Sequence, residues 1–196
     1  YTTLFRSKKI NLIIGGPPCP TFSTIGHAKI RSVETKKDKN FTLFNDKRNF
    51  LFKKYFEYID FFKPDFFFME NVPNFVTKYN GLIFKQTKKR IEALGYKIIN
   101  ESNTIFNAAD YGVPQTRKRM ILIGSRNSNI NYIPPEIKFY PNNNSFAKKS
   151  NKYVTVKEAI DDLPKITDNW RTDECKYSKF IKLTKYQILM REKTNG

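Results

Sequence analysis

The chain has 196 residues, 39% of them hydrophobic, with 18 Phe and 11 Tyr; that suffices for one substantial core, or for one core and the start of a second domain. Lys and Arg number 36 against 18 acidic residues, a net charge of +18, which favours a polyanionic partner, either nucleic acid or an acidic membrane surface, although a general richness in Lys, Asn, Phe and Ile is the blander source of the excess. No run approaches the roughly 20 apolar residues that span a bilayer, no signal peptide is visible, and Cys19, Cys175 and His27 make neither a disulfide framework nor a zinc set. Two lone cysteines suit a reducing compartment, the cytoplasm or the nucleus.

In chain order, residues 10–14 form a short apolar run closed by Gly15-Gly16-Pro17-Pro18, which predicts a buried strand of a parallel sheet. Residues 24–45 carry many charges and little periodicity, and read as a long loop. Leu51, Tyr55, Tyr58, Ile59 and Phe62 recur at helical spacing, predicting a helix over 48–62 that Pro64 stops. Residues 65–69 are a second buried strand ending at Glu70-Asn71-Val72-Pro73. A second helix is predicted over 82–94, with Leu82, Ile83, Ile91 and Leu94 apolar and Gly95 placed to end it. Residues 96–99 and 119–124 are further strands, so the pattern is that of a three-layer α/β domain. The Asn-rich stretch 142–145 is a turn. A short helix near 155–162 follows, then a polar, basic tail with one apolar cluster at Ile188, Leu189 and Met190. The boundary is placed near 165: 1–164 as one domain, 165–196 as a linker to whatever follows.

In open parallel sheets, ligands bind outside the carboxyl ends of the strands. The first strand runs into Pro18-Cys19-Pro20-Thr21-Phe22-Ser23 and the second into Glu70-Asn71-Val72, so a thiol and a carboxylate would share one crevice. A lone cysteine after a strand is more often a small buried hydrophobe than a nucleophile, and a carboxylate there is often a cap or an ion-pair partner. A third segment shifts that balance. Gln115-Thr116-Arg117-Lys118-Arg119 enters the strand at 119–124, and the two-residue period turns Arg117 and Arg119 to the same side. Arginines so placed lower a thiolate pKa, hold a phosphate or bond a base oxygen; otherwise they are a solvated basic edge.

Together these segments resemble the DNA (cytosine-5) methyltransferase family. The family's Pro-Cys-Gln-x-x-Ser loop is matched by Pro18-Cys19-Pro20-Thr21-Phe22-Ser23, and its Asp-x-Arg-Asn-x-Leu by Asp46-Lys47-Arg48-Asn49-Phe50-Leu51. Its Glu-Asn-Val is matched by Glu70-Asn71-Val72, and its Gln-x-Arg-x-Arg by Gln115-Thr116-Arg117-Lys118-Arg119. Asn107-Ala108-Ala109-Asp110-Tyr111-Gly112-Val113-Pro114 and Val156-Lys157-Glu158-Ala159-Ile160-Asp161-Asp162-Leu163-Pro164 are also family-like. The resemblance runs from about residue 10 to 164, and 185–191 fits more loosely the approach to a target recognition domain.

The resemblance implies a Rossmann-like, three-layer fold of the S-adenosyl-L-methionine (AdoMet)-dependent methyltransferases, incomplete at its N-terminus, with residues 1–164 as a partial catalytic domain and 165–196 as a linker and the start of the recognition region. It implies methyl transfer from AdoMet to C5 of a cytosine flipped out of double-stranded DNA, with Cys19 adding at C6, Glu70 at N3, Arg119 at O2 and Arg117 beside it. It places Gly16, Pro18 and Leu51 on the cofactor and Ser23 on the DNA backbone; Lys29 and Arg31, in the basic loop 29–39, are expected to close on phosphates. No metal and no membrane are implied. Pro20 departs from the family's Gln and removes a backbone donor. The family's cofactor turn and first acidic residues would precede residue 1, so weak AdoMet binding by this segment alone is expected, together with a need for flanking segments or a complementary chain. The competing readings are a non-catalytic or split nucleic-acid-binding subunit and an RNA cytosine-5 methyltransferase; a zinc deaminase lacks its ligand set here.

Overall fold

The computed structural model describes residues 9–18, 51–145, 148, 151–164 and 182–192. The chain divides into two compact units, one of Tyr1–Phe106 with Lys118–Pro135 and one of Asn107–Arg117 with Glu136–Gly196. The boundary expected near 165 lies outside the described residues.

The first unit is a mixed α/β structure. Its elements are β1 (Leu12–Gly15), α1 (Leu51–Phe62), β2 (Phe66–Asn71), α2 (Asn74–Thr77), a 3-10 turn (Lys78–Gly81), α3 (Leu82–Ala93), β3 (Lys97–Ile98), β4 (Ile105–Asn107, whose last residue already belongs to the second unit) and β5 (Lys118–Ser125). The expected helix ends hold. Past α1 the chain reverses at Lys63, with φ +47, just before Pro64. Past α3, Gly95 takes φ +79 while the Tyr96 N–H reaches back to the Ile91 carbonyl at 3.1 Å, the bond pattern that a left-handed glycine permits.

The sheet order is β1-β2-β5-β3, with β4 pairing β5 off this path. β1 runs parallel to β2, as expected. The expectation of a parallel sheet does not extend to β5, which is antiparallel to both β2 and β3. Parallel pairing requires a crossover, usually a helix, and residues 99–117 contain nothing longer than the single 3-10 turn Ala108–Tyr111. The chain therefore returns antiparallel.

Alternation along β2 and β5 sends Phe67, Met69, Met120 and Leu122 to one face. There they meet Phe52, Tyr55, Phe56 and Ile59 of α1, Phe75 of α2, and Ile83 and Ile91 of α3 in one core. Edge-to-face contacts join Phe56 to Phe67 and Phe52 to Phe75 at centroid distances of 6.1 and 5.5 Å. Gly124 lets this core close, since a Cβ there would lie 1.9 Å from the Phe67 ring. The helices of this unit contribute their buried hydrophobic residues to this face. The other face carries Phe66, Phe68, Ile121 and Ile123 half-buried, with Leu12 and Ile14 exposed.

The second unit contains the 3-10 turn Ala108–Tyr111, α4 (Val156–Ile160) and α5 (Lys185–Glu192). Thr155 and Glu158 form a reciprocal capping box at the start of α4. Arg191 binds the buried Asp162 at 2.5 Å, tying α5 to the end of α4.

Candidate active site at the strand ends

β1 ends against α1 through a glycine. A Cβ on Gly15 would lie 2.6 Å from the Tyr55 ring, so only glycine lets that ring pack against the strand. The Tyr55 hydroxyl donates to the carbonyls of Phe68 at 2.9 Å and Ile13 at 3.2 Å, bridging β1 and β2. Burial pushes its phenol far above the ordinary value.

The loop that follows is fastened from β2. Asn71 is 4% exposed; its Nδ2 donates to the Pro17 carbonyl at 3.1 Å while its Oδ1 accepts from the Val72 N–H at 2.9 Å. One buried amide thus holds the loop two residues before Cys19. Cys19 itself, like Ser23, Lys29, Arg31 and the predicted loop 24–45, lies outside the described residues.

Glu70 and Arg119 come together. Glu70 opposes Ile121 across the β2–β5 ladder, so Arg119, two residues before Ile121, is its diagonal neighbour on the same face. Arg119 Nε lies 2.7 Å from Glu70 Oε1, and Arg119 Nη1 donates to the Lys118 carbonyl at 2.8 Å. The other carboxylate oxygen, Oε2, lies 3.1 Å from where a Cβ on Gly16 would sit. A carboxylate, a guanidinium and a bare stretch of backbone therefore meet at the ends of three strands. Such a set can both donate and accept hydrogen bonds, as recognition of a polar ring edge requires.

Arg117 is placed differently. β5 begins at Lys118, so the two-residue period does not reach Arg117, which belongs to the second unit. Its N–H donates to Asn107 Oδ1 at 3.1 Å and its carbonyl accepts from the Ala108 N–H at 3.0 Å. Pro18 is exposed, and Leu51, the first residue of α1, is 39% exposed.

Sequence reasoning missed Tyr55 and Asn71 as supports of this site, and Asn107 as the partner of Arg117. Asn71 had a signal, a polar side chain adjoining a glutamate at the end of an apolar run. Tyr55 had none, being one apolar position of α1 among several.

Over residues 2–195 the chain matches the family described as C-5 cytosine-specific DNA methylase. It is 32% identical over 97% of its length to the type II methyltransferase M.Bpa9945I of Bacillus paralicheniformis, and 38% identical over 78% of its length to the type II methyltransferase M.BspRI of Lysinibacillus sphaericus. It spans 42% and 31% of those two proteins. Among solved structures it is similar to a prophage-encoded E. coli protein described as a DNA modification methyltransferase, with 27% identity and a TM-score of 0.56 over 94% of this chain and 45% of that one.

Proposed function

Because the chain belongs to the C-5 cytosine-specific DNA methylase family, whose α/β fold it has, we propose that it carries the base-handling part of a DNA (cytosine-5) methyltransferase, acting on a cytosine flipped from duplex DNA. The observation that carries this reading is the meeting of Glu70 with Arg119 at 2.7 Å, beside the bare backbone of Gly16, three residues before Cys19.

In this reading the Cys19 thiolate adds to C6, and the electrons of the 5,6 double bond move to make C5 nucleophilic. Charge that develops on the ring is met at O2 by Arg119 and at N3 by Glu70, which donates there when its carboxyl has taken up a proton; family resemblance assigns Arg117 to the same chemistry. C5 then takes the methyl group, its proton leaves to a base, and the electrons of that C–H bond re-form the double bond as the thiolate is expelled. AdoMet supplies the electrophilic methyl group. Family resemblance assigns Gly16, Pro18 and Leu51 to it; Gly16 has no side chain, and Pro18 and Leu51 are exposed. Ser23, Lys29 and Arg31 are assigned to the DNA backbone, where a net charge of +18 favours phosphate contacts.

Cys19→Ala is expected to abolish the denaturation-resistant adduct with DNA containing 5-fluorocytosine while leaving non-covalent DNA binding intact. An adduct formed by the alanine variant would remove Cys19 from this role. Labelled methyl transfer to duplex DNA and to transfer RNA distinguishes the DNA reading from an RNA methyltransferase, and transfer to neither substrate would favour a non-catalytic subunit.

A further inference from the structure

The second unit contains a polar cluster that the proposed chemistry does not use. Asn107 leads into the 3-10 turn Ala108–Tyr111, and its Oδ1 accepts from the Arg117 N–H at 3.1 Å and from the Ala109 N–H at 3.5 Å. Its Nδ2 donates to Asp110 Oδ1 at 3.3 Å and to the Tyr153 hydroxyl oxygen at 3.2 Å. Tyr153 in turn donates to the same Asp110 oxygen at 2.5 Å.

These partners decide which way the amide faces. A carboxylate only accepts, so Asp110 draws the Asn107 NH2 toward itself and turns the Oδ1 toward Arg117. Burial, then the bond to Asp110, raises the Tyr153 phenol above its ordinary value, so its hydroxyl stays a donor near neutral pH. The turn is held independently, because the Asp110 carbonyl accepts from the Lys138 and Phe139 N–H groups at 3.1 Å each. The Ala108 N–H meanwhile takes the Arg117 carbonyl at 3.0 Å, so both backbone groups of Arg117 are engaged by residues 107 and 108.

We infer that Asn107 is a positioning residue for Arg117: oriented by Asp110 and Tyr153, its side-chain carbonyl clamps the Arg117 N–H and sets the direction in which the arginine side chain leaves the backbone. Its consequence for turnover rests on the role proposed above for Arg117.

The test combines amide exchange with kinetics on the full chain. In Asn107→Ala and Tyr153→Phe the Arg117 amide exchanges about tenfold faster or more, while the Lys138 and Phe139 amides keep their wild-type rates. In the same variants kcat for methyl transfer falls about tenfold with KM for DNA nearly unchanged. Asn107→Asp sets two carboxylates against each other and is impaired; Asn107→Asp combined with Asp110→Asn restores one acceptor facing one donor and recovers activity. Unchanged Arg117 exchange in Asn107→Ala overturns the clamp, and faster exchange with unchanged kcat overturns its role in turnover. Should Asn107→Ala not fold, Tyr153→Phe decides by the same two readouts. A wild-type protein that transfers no methyl group even when assayed together with its flanking segments defeats the proposed function instead, and the exchange rates then decide the clamp alone.

Discussion

Glu70 and Arg119 hold each other at 2.7 Å while keeping 38% and 27% of their side-chain surface open. An ion pair this exposed contributes little to stability, about 1 kcal/mol or less, so its value lies in orientation. Arg119→Ala is expected to lower methyl transfer by roughly 10²–10³-fold, the scale for losing one preorganised donor, with the melting temperature almost unmoved. Arg119→Lys is expected not to restore the rate, because a point charge lacks the planar fork. A rate within a few-fold of wild type in either variant would take Arg119 out of the site. Glu70 and Arg119 were visible in the sequence because each adjoins an apolar run in a family-like phrase. Their contact was not, since it depends on the register that sets Glu70 opposite Ile121. Asn71 shows the same limit: its neighbour in space is Pro17, 54 positions away in sequence.

At the level of elements, α1 and α3 were readable because their apolar residues recur at the helical period and Pro64 and Gly95 punctuate them. The end of β3 was not. Asn100 is fully buried, and its side chain stands in for a strand: Nδ2 donates to the Ile121 carbonyl at 2.8 Å and the Asn103 carbonyl at 3.1 Å, while Oδ1 accepts from the Ile123 N–H at 2.9 Å. A side chain that replaces backbone pairing has no periodicity to detect. Asn100→Ala leaves buried backbone groups of β5 unpaired and is expected to cost about 2–4 kcal/mol, read as a lower urea midpoint with unchanged slope. Asn100→Asp keeps the acceptor for Ile123 but loses both donors, and is expected to be destabilised as well. Wild-type stability in the alanine variant would mean that water replaces all three bonds.

Across the whole molecule, alkaline pH supplies a test of the core. Tyr55 and Tyr96 both have phenols raised by burial. The folded state therefore retains protons that an unfolded tyrosine releases near pH 10 (roughly). Their contribution to stability is complete below that pH and is lost as the pH rises toward the folded values. Tyr55→Phe cannot ionise, so its melting temperature is expected to lie below wild type at pH 8, for lack of the two hydroxyl bonds, and to approach it above pH 10. A constant gap across that range would exclude the coupling. The residues alone determined the order of β1, α1, β2, α3, β3 and β5, though neither α2 nor β4, and they determined the pairing of chemistry-bearing segments with strand ends and the family, because period, punctuation and motif are local properties of a chain. The antiparallel return of β5, the division into two units with Arg117 on one and Arg119 on the other, and the carboxylate–guanidinium contact came from long-range pairing. Register and burial arise only when distant segments share a sheet, and no local window of sequence contains both partners.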